Sequence, residues 1–201
     1  MNGSLKNTAE EVLSKQGCSV TVSDLYAMHF EATATRSDIT GHLHNPEHFN
    51  YGNETRVAQR RGNLCKDILE EQKKVQEADL VIFQYLAGHM FPPVRRFETT
   101  GLDQSVQQRQ DKLVLLSFTT GGTEEMFSKE GESGDVKYLL WPIQHGMMHF
   151  CGFTILTSQI TFAPEYVTEN VRNEMLTSWA RRLETIWNEK TIICTPPWYF
   201  Q

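Results

Sequence analysis

The sequence predicts a three-layer α/β domain built on a mostly parallel sheet. Two apolar runs carry this prediction: residues 78–85 (ADLVIFQY) and 112–118 (KLVLLSF) are continuous rather than alternating. Continuous runs are typical of parallel strands that are covered on both faces. Helical patterns precede and follow these runs, and strands that alternate with helices favour an α/β architecture. At 201 residues, the chain fits a single domain over residues 1–201.

The first helix is predicted from Ser4 to Lys15. Leu5, Val12 and Leu13 share one face of this helix. Gly17 follows it, at a position where glycine commonly ends a helix.

Three segments follow before the first apolar run. Residues 18–25 (CSVTVSDL) alternate and are rich in β-branched side chains, so they are predicted to form a strand. Residues 29–64 carry four of the seven histidines and are predicted to be irregular and polar. Residues 70–78 (EEQKKVQEA) are predicted to form a charged helix.

The second half of the chain starts with a break in the pattern. Residues 86–111 have paired prolines, many glutamines and no amphipathic period, so they form a divergent segment. After the second apolar run we expect a helix over Lys137–Phe150, a strand with its exit loop over 153–164, and a closing helix over 167–190. The apolar stripe of the closing helix consists of Val171, Met175, Trp179, Leu183 and Ile186.

Composition and charge exclude several classes of partner. The net charge is -6 and the pI is about 5.6, so no basic surface is expected for nucleic acid or anionic membranes. No apolar window is long enough to span a bilayer, and the first residues lack the pattern of a signal peptide. We therefore expect a cytoplasmic protein. Its four scattered cysteines are expected to be reduced; they are Cys18, Cys65, Cys151 and Cys194.

The stretch SFTTGGT is the candidate ligand loop. Ligands of parallel α/β sheets bind beyond the carboxyl ends of the strands, and here a buried strand ends in two threonines and two glycines. Glycines let the backbone approach a flat or anionic ligand, and the threonines supply hydrogen bonds. An ordinary turn would have the same composition. Neither GxGxxG nor GxxxxGK[ST] occurs, which disfavours a Rossmann dinucleotide site and a P-loop.

A pair of histidines in WPIQHGMMHFCGF is the candidate metal site. His145 and His149 are four residues apart, so a helix would place both imidazoles on one face. Packing beside methionines and a phenylalanine explains the same spacing. A metal-dependent hydrolase is disfavoured, because no glutamate is placed as in HExxH.

Several motifs resemble those of the flavodoxin-like quinone reductases of animals, which use NAD(P)H or dihydronicotinamide riboside. These motifs are NGSLKN, GCSVTVSDLYAM, ADLVIFQ, TTGGT, YLLWPIQHGMMHFCGF and ITFAPE, and the resemblance covers residues 1–85 and 110–201. It implies a flavodoxin-like fold and a homodimer with one FAD per subunit. It also implies a ping-pong reaction, in which a reduced nicotinamide donor and then a quinone use the same pocket.

The resemblance also implies roles for individual residues. Contacts to FAD are expected from Asn2, Gly3 and Ser4 in the first loop, from Thr119, Thr120, Gly121 and Gly122 against the flavin, and from Glu165 and Arg172 on the adenosine side. The catalytic positions are Gly121, Gly122, Phe127 and Ser133, and Phe150 matches a substrate-stacking position. A structural zinc or copper ion is expected at His145, His149 and Cys194, which would hold the tail against the helix.

The chain departs from this family at three places. The family begins with an apolar strand ahead of the NGS motif, so that strand is expected to be absent here and its two neighbours to carry unpaired backbone groups. Residues 86–111 retain neither the aromatic loop that stacks on the flavin nor the aromatic substrate-binding segment. Phe127 replaces a tyrosine, and Ser133 replaces a histidine or asparagine, which would slow the enzyme.

These departures support an alternative interpretation. The chain would then be a non-catalytic or weakened relative, or a truncated isoform, acting as a dimeric binding or regulatory protein.

Overall fold

The structure, a computed structural model, describes residues 1–86 and 112–194. A four-stranded parallel sheet forms its centre, with β2 pairing with β1 on one side and with both β3 and β4 on the other. The predicted α/β architecture with a parallel sheet is therefore confirmed. The strands are β1 (Leu80–Leu86), β2 (Leu113–Thr120), β3 (Thr154–Ile155) and β4 (Gln159–Phe162).

Helices cover both faces of the sheet. They are α1 (Asn2–Lys15), α2 (Tyr51–Arg61), α3 (Lys66–Glu77), α4 (Val136–Ile143) and α5 (Glu169–Glu184), with short 3-10 turns at Arg36–Asp38, Glu125–Phe127 and Ile186–Asn188. Within the described ranges, no helix is long and apolar enough to cross a bilayer. Gly17 adopts a φ of 84°, a left-handed conformation that stops α1 where the sequence predicts its end.

Alternation along β2 divides the core between the two faces of the sheet. Leu116 and Phe118 point into a cluster formed with α4 and the helical turn that follows it. Leu115 points to the opposite face, into a cluster with α1 and α5. Seven of the eight residues of β2 are buried, which explains why its sequence is a continuous apolar run.

The docking of α5 on α1 supports the second cluster. Trp179 is fully buried, and its indole Nε1 donates a hydrogen bond of 3.0 Å to the carbonyl oxygen of Leu5. Leu183 and Ile186 are also fully buried, as the apolar stripe of the closing helix predicts.

The prediction of a strand over residues 18–25 is wrong. This segment forms no ladder, although Cys18 and Val20 pack against the α1 side of the core. Ser23 is tied instead to α3, where its hydroxyl donates to Glu71 Oε2 over 2.7 Å and Lys74 Nζ contacts its oxygen at 3.0 Å. A strand requires a partner, and within residues 1–86 and 112–194 only β2 pairs with β1.

Two predictions around the histidine helix need correction. The helix expected over 137–150 is α-helical only to Ile143, and it continues as a π-helix over Gln144–His149. Pro142 lies inside α4 and lacks a backbone N–H, which disturbs regular helical bonding just ahead of the π-helical turn. The strand expected over 153–164 is split into β3 and β4, which both pair with β2.

The segment 29–64 is more ordered than its composition predicts, because it contains α2. Asn50 caps α2 by accepting a hydrogen bond from the backbone N–H of Asn53, and Gly62 ends it in a left-handed conformation. The divergent segment 86–111 lies outside the described residues except for Leu86.

Candidate functional site

The loop after β2 lies at the carboxyl edge of the sheet, as predicted. Thr119 and Thr120 are buried at the end of the strand, and Gly121 is exposed. The hydroxyl of Thr120 donates to the carbonyl oxygen of Gly122 over 2.8 Å, which folds the loop back on itself. A Cβ atom added at Gly121 would meet no heavy atom within 4 Å. The loop therefore presents open backbone to a ligand.

Aromatic side chains form one wall beside this loop. The rings of Phe127 and Phe162 lie 6.0 Å apart at an interplanar angle of 36°. Gly122 approaches this wall so closely that an added Cβ would lie 3.0 Å from Phe127 Cε2. Ser133 is exposed, and its backbone N–H donates to the carbonyl oxygen of Met126, which closes the loop that carries Phe127.

The N-terminus of α1 lies near the end of β1. Gln84 Nε2 donates a hydrogen bond of 2.8 Å to Asn2 Oδ1. No side chain in the described part of the chain caps this helix, and its first turn has no acidic residue. The unsatisfied N–H groups and the positive end of the helix dipole make such a terminus suitable for an anion. Asn2, Gly3 and Ser4 were expected in a loop but form the first turn of α1, where phosphate groups could bind.

Arg172 organises the loop after β4. Its Nη1 donates to the carbonyl oxygens of Pro164 at 3.3 Å and Val167 at 2.6 Å. Ala163 has a φ of 45°, a strained conformation for a residue with a side chain, at the start of the same loop. Glu165 is exposed there. Arg172 therefore stabilises the backbone of this loop through two hydrogen bonds and is not simply a solvated helix residue.

The predicted metal centre is not supported. No group of three histidine, cysteine, aspartate or glutamate side chains in residues 1–86 and 112–194 is placed to hold a metal ion. His145 and His149 do stack, with ring centroids 5.6 Å apart. His145 Nδ1 donates to the backbone carbonyl of Cys194 over 2.7 Å, so this nitrogen carries a proton and only Nε2 could bind a metal ion.

Cys194 is buried at the end of the described chain, and burial raises the pKa of its thiol to about 11. The contact between His145 and Cys194 still pins the end of the described chain to the π-helical turn. Docking of the tail is thus explained by a hydrogen bond.

The structure places two site residues that the sequence analysis missed. Gln84 anchors Asn2 across 82 positions of sequence, and its only signal was a polar residue inside an apolar strand. Tyr85 stacks on Phe118 directly below the loop, with ring centroids 5.4 Å apart. Phe150, the predicted substrate-stacking residue, is 60% exposed and is therefore free to contact a ring from outside.

Comparison with known proteins relates this chain to one family. The family described by a flavodoxin-like fold matches residues 1–86 and 89–183. The ribosyldihydronicotinamide dehydrogenase (quinone) of Rattus norvegicus is 54% identical over 213 residues, covering 100% of this chain and 92% of the rat protein. NAD(P)H dehydrogenase (quinone) 1 of Cavia porcellus is 42% identical over 207 residues, covering 97% of this chain and 75% of that protein.

A solved structure agrees with these relatives. A Klebsiella pneumoniae protein described as a quinone reductase superposes with a TM-score of 0.85 and is 28% identical. The superposition covers 95% of this chain and 81% of the bacterial chain.

Proposed function

The chain belongs to the flavodoxin-like quinone reductases, and on that basis we propose that it is an FAD-dependent enzyme that reduces quinones by two electrons. Its reduced nicotinamide donor is dihydronicotinamide riboside or NAD(P)H. The observation that carries the proposal is a juxtaposition at one edge of the sheet. There the open Thr-Thr-Gly-Gly loop and the uncapped N-terminus of α1 lie at the carboxyl ends of neighbouring strands.

The N-terminus of α1 fits the phosphate groups of FAD. Two phosphates carry negative charge, and the first turn of α1 offers backbone N–H groups with no carboxylate to repel them. Gly3 has no heavy atom within 4 Å of an added Cβ, so a phosphate could approach the backbone there. Asn2, Gly3 and Ser4 would hold this part of the cofactor.

The loop after β2 fits the isoalloxazine ring. Thr119 and Thr120 shape the loop from below, and Gly121 and Gly122 expose backbone to a flat ring. Phe127 would border the ring, and Ser133 would lie on the substrate side. Glu165 and Arg172 belong to the loop after β4, where Arg172 holds the backbone in shape for the adenosine half.

Bound FAD would supply the reversible uptake of a hydride, which no amino acid side chain provides. The protein's residues would orient the ring, exclude water from it and admit the two substrates in turn, in a ping-pong order. Phe150 would stack on the quinone. Phe127 has no hydroxyl group to polarise the flavin or the quinone, so Phe127→Tyr should raise the rate of quinone reduction.

The assembly and location complete the proposal. We propose a cytoplasmic homodimer with one FAD per subunit. Sedimentation equilibrium of the purified chain should give twice the mass of one chain, 23.1 kDa.

The test is a titration of the apoprotein with FAD, followed by steady-state kinetics. We expect quenching of flavin fluorescence, a shifted absorbance spectrum, and oxidation of the nicotinamide donor only when a quinone is present. Double-reciprocal plots at several quinone concentrations should be parallel. An unchanged flavin spectrum at saturating protein would refute the proposal.

One observation favours the second candidate, a non-catalytic dimeric binding or regulatory protein. Within the described residues β1 pairs only with β2, and residues 18–25 join no ladder. The other edge of β1, beside the proposed cofactor site, therefore has no paired strand in these residues. A soluble, colourless dimer that takes up no FAD would support this candidate.

A further inference from the structure

Tyr85 carries a buried hydroxyl group that has no partner in residues 1–86 and 112–194. Its oxygen is enclosed and makes no hydrogen bond within these ranges. Buried polar atoms in native proteins are almost always bonded, because an unpaired one loses its hydrogen bonds to water without replacement. Since the side chain as a whole is only partly buried, the ring is not sealed inside the core.

The position of Tyr85 links this hydroxyl to the proposed cofactor loop. Tyr85 is in register with Phe118 of β2, and the two rings stack at an interplanar angle of 11°. Side chains alternate along a strand, so Thr120 lies on the same face, two residues beyond Phe118. Thr120 is in turn in register with Phe162, whose ring contacts Phe127. Tyr85 therefore belongs to the aromatic surface under the loop.

The chemistry of the phenol indicates what it could bind. Burial raises the pKa of Tyr85 to about 12, so its hydroxyl is neutral and acts as a hydrogen-bond donor at physiological pH. A hydroxyl donor surrounded by aromatic rings is suited to donate a hydrogen bond to a carbonyl oxygen on a flat ring. Both the isoalloxazine ring and a quinone carry such oxygens.

We propose that Tyr85 is a binding residue whose hydroxyl donates a hydrogen bond to a carbonyl oxygen of the flat ring bound at this edge, either the flavin or the quinone. The proposal deepens the proposed function and rests on it. Because the oxygen is enclosed in this structure, the side chain would turn toward the bound ring to make this bond, and Tyr85 would then orient the ring.

Tyr85→Phe tests this proposal, because it removes one oxygen and keeps the ring that stacks on Phe118. Tyr26→Phe is the matched control, because it removes the same oxygen from a tyrosine that is 93% exposed. The Tyr85→Phe apoprotein should melt at or above the wild-type temperature, because it loses a buried oxygen that has no partner in the described residues. The Tyr26→Phe apoprotein should melt at the wild-type temperature.

The two candidate rings give different results. If the flavin accepts the bond, Tyr85→Phe should weaken FAD binding about tenfold and shift the flavin absorbance bands, whereas Tyr26→Phe changes neither. If the quinone accepts it, FAD binding stays unchanged and the KM for quinone rises about tenfold at equal kcat.

Three outcomes would overturn the inference. Unchanged FAD affinity together with unchanged quinone KM in Tyr85→Phe would exclude the hydrogen bond while leaving the proposed function intact. A less stable Tyr85→Phe apoprotein would show that the hydroxyl already has a partner. A wild-type chain that binds no FAD would remove the proposed function and this inference together.

Discussion

Single residues decide the shape of the loop at the carboxyl edge of the sheet. Thr120 bonds to the carbonyl of Gly122, and this short link exposes Gly121 between them. The sequence predicts the loop correctly, because glycines after a buried strand are a local signal. It does not predict the bond between Gln84 and Asn2 or the grip of Arg172 on two carbonyls, because these depend on the tertiary fold.

Gly121→Ala should separate ligand binding from stability. Nothing lies within 4 Å of an added Cβ, so the free energy of unfolding of the apoprotein should change by less than about 0.5 kcal/mol. The same methyl group would occupy the open side of the loop and should weaken FAD binding at least about tenfold. Fluorescence titration with FAD measures the affinity, and urea denaturation measures the stability.

Gly146→Ala provides the control for this variant. Gly146 also has free space around an added Cβ, but it lies in the π-helical turn between the two histidines. Its affinity for FAD should equal that of the wild type. If Gly121→Ala bound FAD as tightly as the wild type, the assignment of this loop to the flavin site would be contradicted.

The cysteines should differ in reactivity according to burial. All four are reduced thiols, as the sequence predicts, and Cys151 and Cys194 are buried whereas Cys18 and Cys65 are partly exposed. Alkylation with iodoacetamide, mapped by mass spectrometry, should modify Cys18 and Cys65 at least about tenfold faster than the buried pair. In denaturant all four should react alike. Fast alkylation of Cys194 in the folded protein would contradict its burial.

At the scale of elements, the errors of the sequence analysis share a physical cause. Residues 18–25 have the alternation of a strand, but a strand forms only against a partner, and pairing is a long-range property. The polar segment 29–64 hides α2, because capping by Asn50 and Gly62 fixes that helix more than an apolar face does. Pro142 is the visible signal for the π-helical turn, although a proline alone does not specify its type.

The contact between α1 and α5 should be sensitive to one side chain. Trp179→Phe removes the indole N–H that bonds to Leu5 and leaves a small cavity, so we expect a loss of about 2–4 kcal/mol in the free energy of unfolding. Trp187 is 43% exposed, and Trp187→Phe should cost less than about 0.5 kcal/mol. Equal losses for the two variants would show that α5 is not held as described.

Glu54 should make the segment before α2 sensitive to acid. Burial alone would raise the pKa of the Glu54 carboxyl. The backbone N–H groups of His44 and Asn45 donate to it over 2.6 and 2.7 Å and lower the pKa. The charges of His44 and Arg61 lower it further, so the effect of burial is outweighed. The net pKa lies below the ordinary value of 4.5. The stabilisation is therefore present above about pH 4.5 and is lost as the pH falls through the lowered pKa.

Comparison with Glu54→Gln measures this effect. The variant should be less stable than the wild type at pH 7, and the difference in free energy of unfolding should shrink as the pH approaches 3. Glu47→Gln, at an exposed position in the same segment, is the control and should show no such trend. A difference that stays constant from pH 7 to pH 3 would contradict the role of Glu54.

At the scale of the whole molecule, the proposed cofactor would join elements that are far apart in sequence. The N-terminus of α1, the loop after β2 and the loop after β4 meet at one edge because parallel strands place their carboxyl ends together. The fold class was predictable because β1 and β2 are continuous apolar runs, although the expected burial on both faces holds for β2 only and residues 80–85 of β1 are partly buried. The expected metal site is not supported, because no group of three candidate ligands forms in residues 1–86 and 112–194, and the spacing of two histidines alone does not place a third ligand.

FAD should therefore stabilise the whole molecule, and its phosphates should account for part of the effect. Binding to the folded state alone contributes about 2.7 kcal/mol at a ligand concentration of 100 Kd. We expect Tm to rise steadily with FAD concentration and to rise less with riboflavin, which lacks the phosphates that α1 would bind. An equal response to both ligands would contradict the phosphate site at α1.

The burial of Trp179 against Leu5 gives the protein an internal optical probe. A fully enclosed indole emits at shorter wavelength than one in water, and Trp179 is the fully buried tryptophan among those described. The short-wavelength part of the intrinsic emission therefore reports whether α1 is packed against α5. An isoalloxazine ring absorbs in the region of that emission, and energy transfer would quench it. One emission spectrum could therefore follow helix docking and cofactor loading at the same time, without any added label.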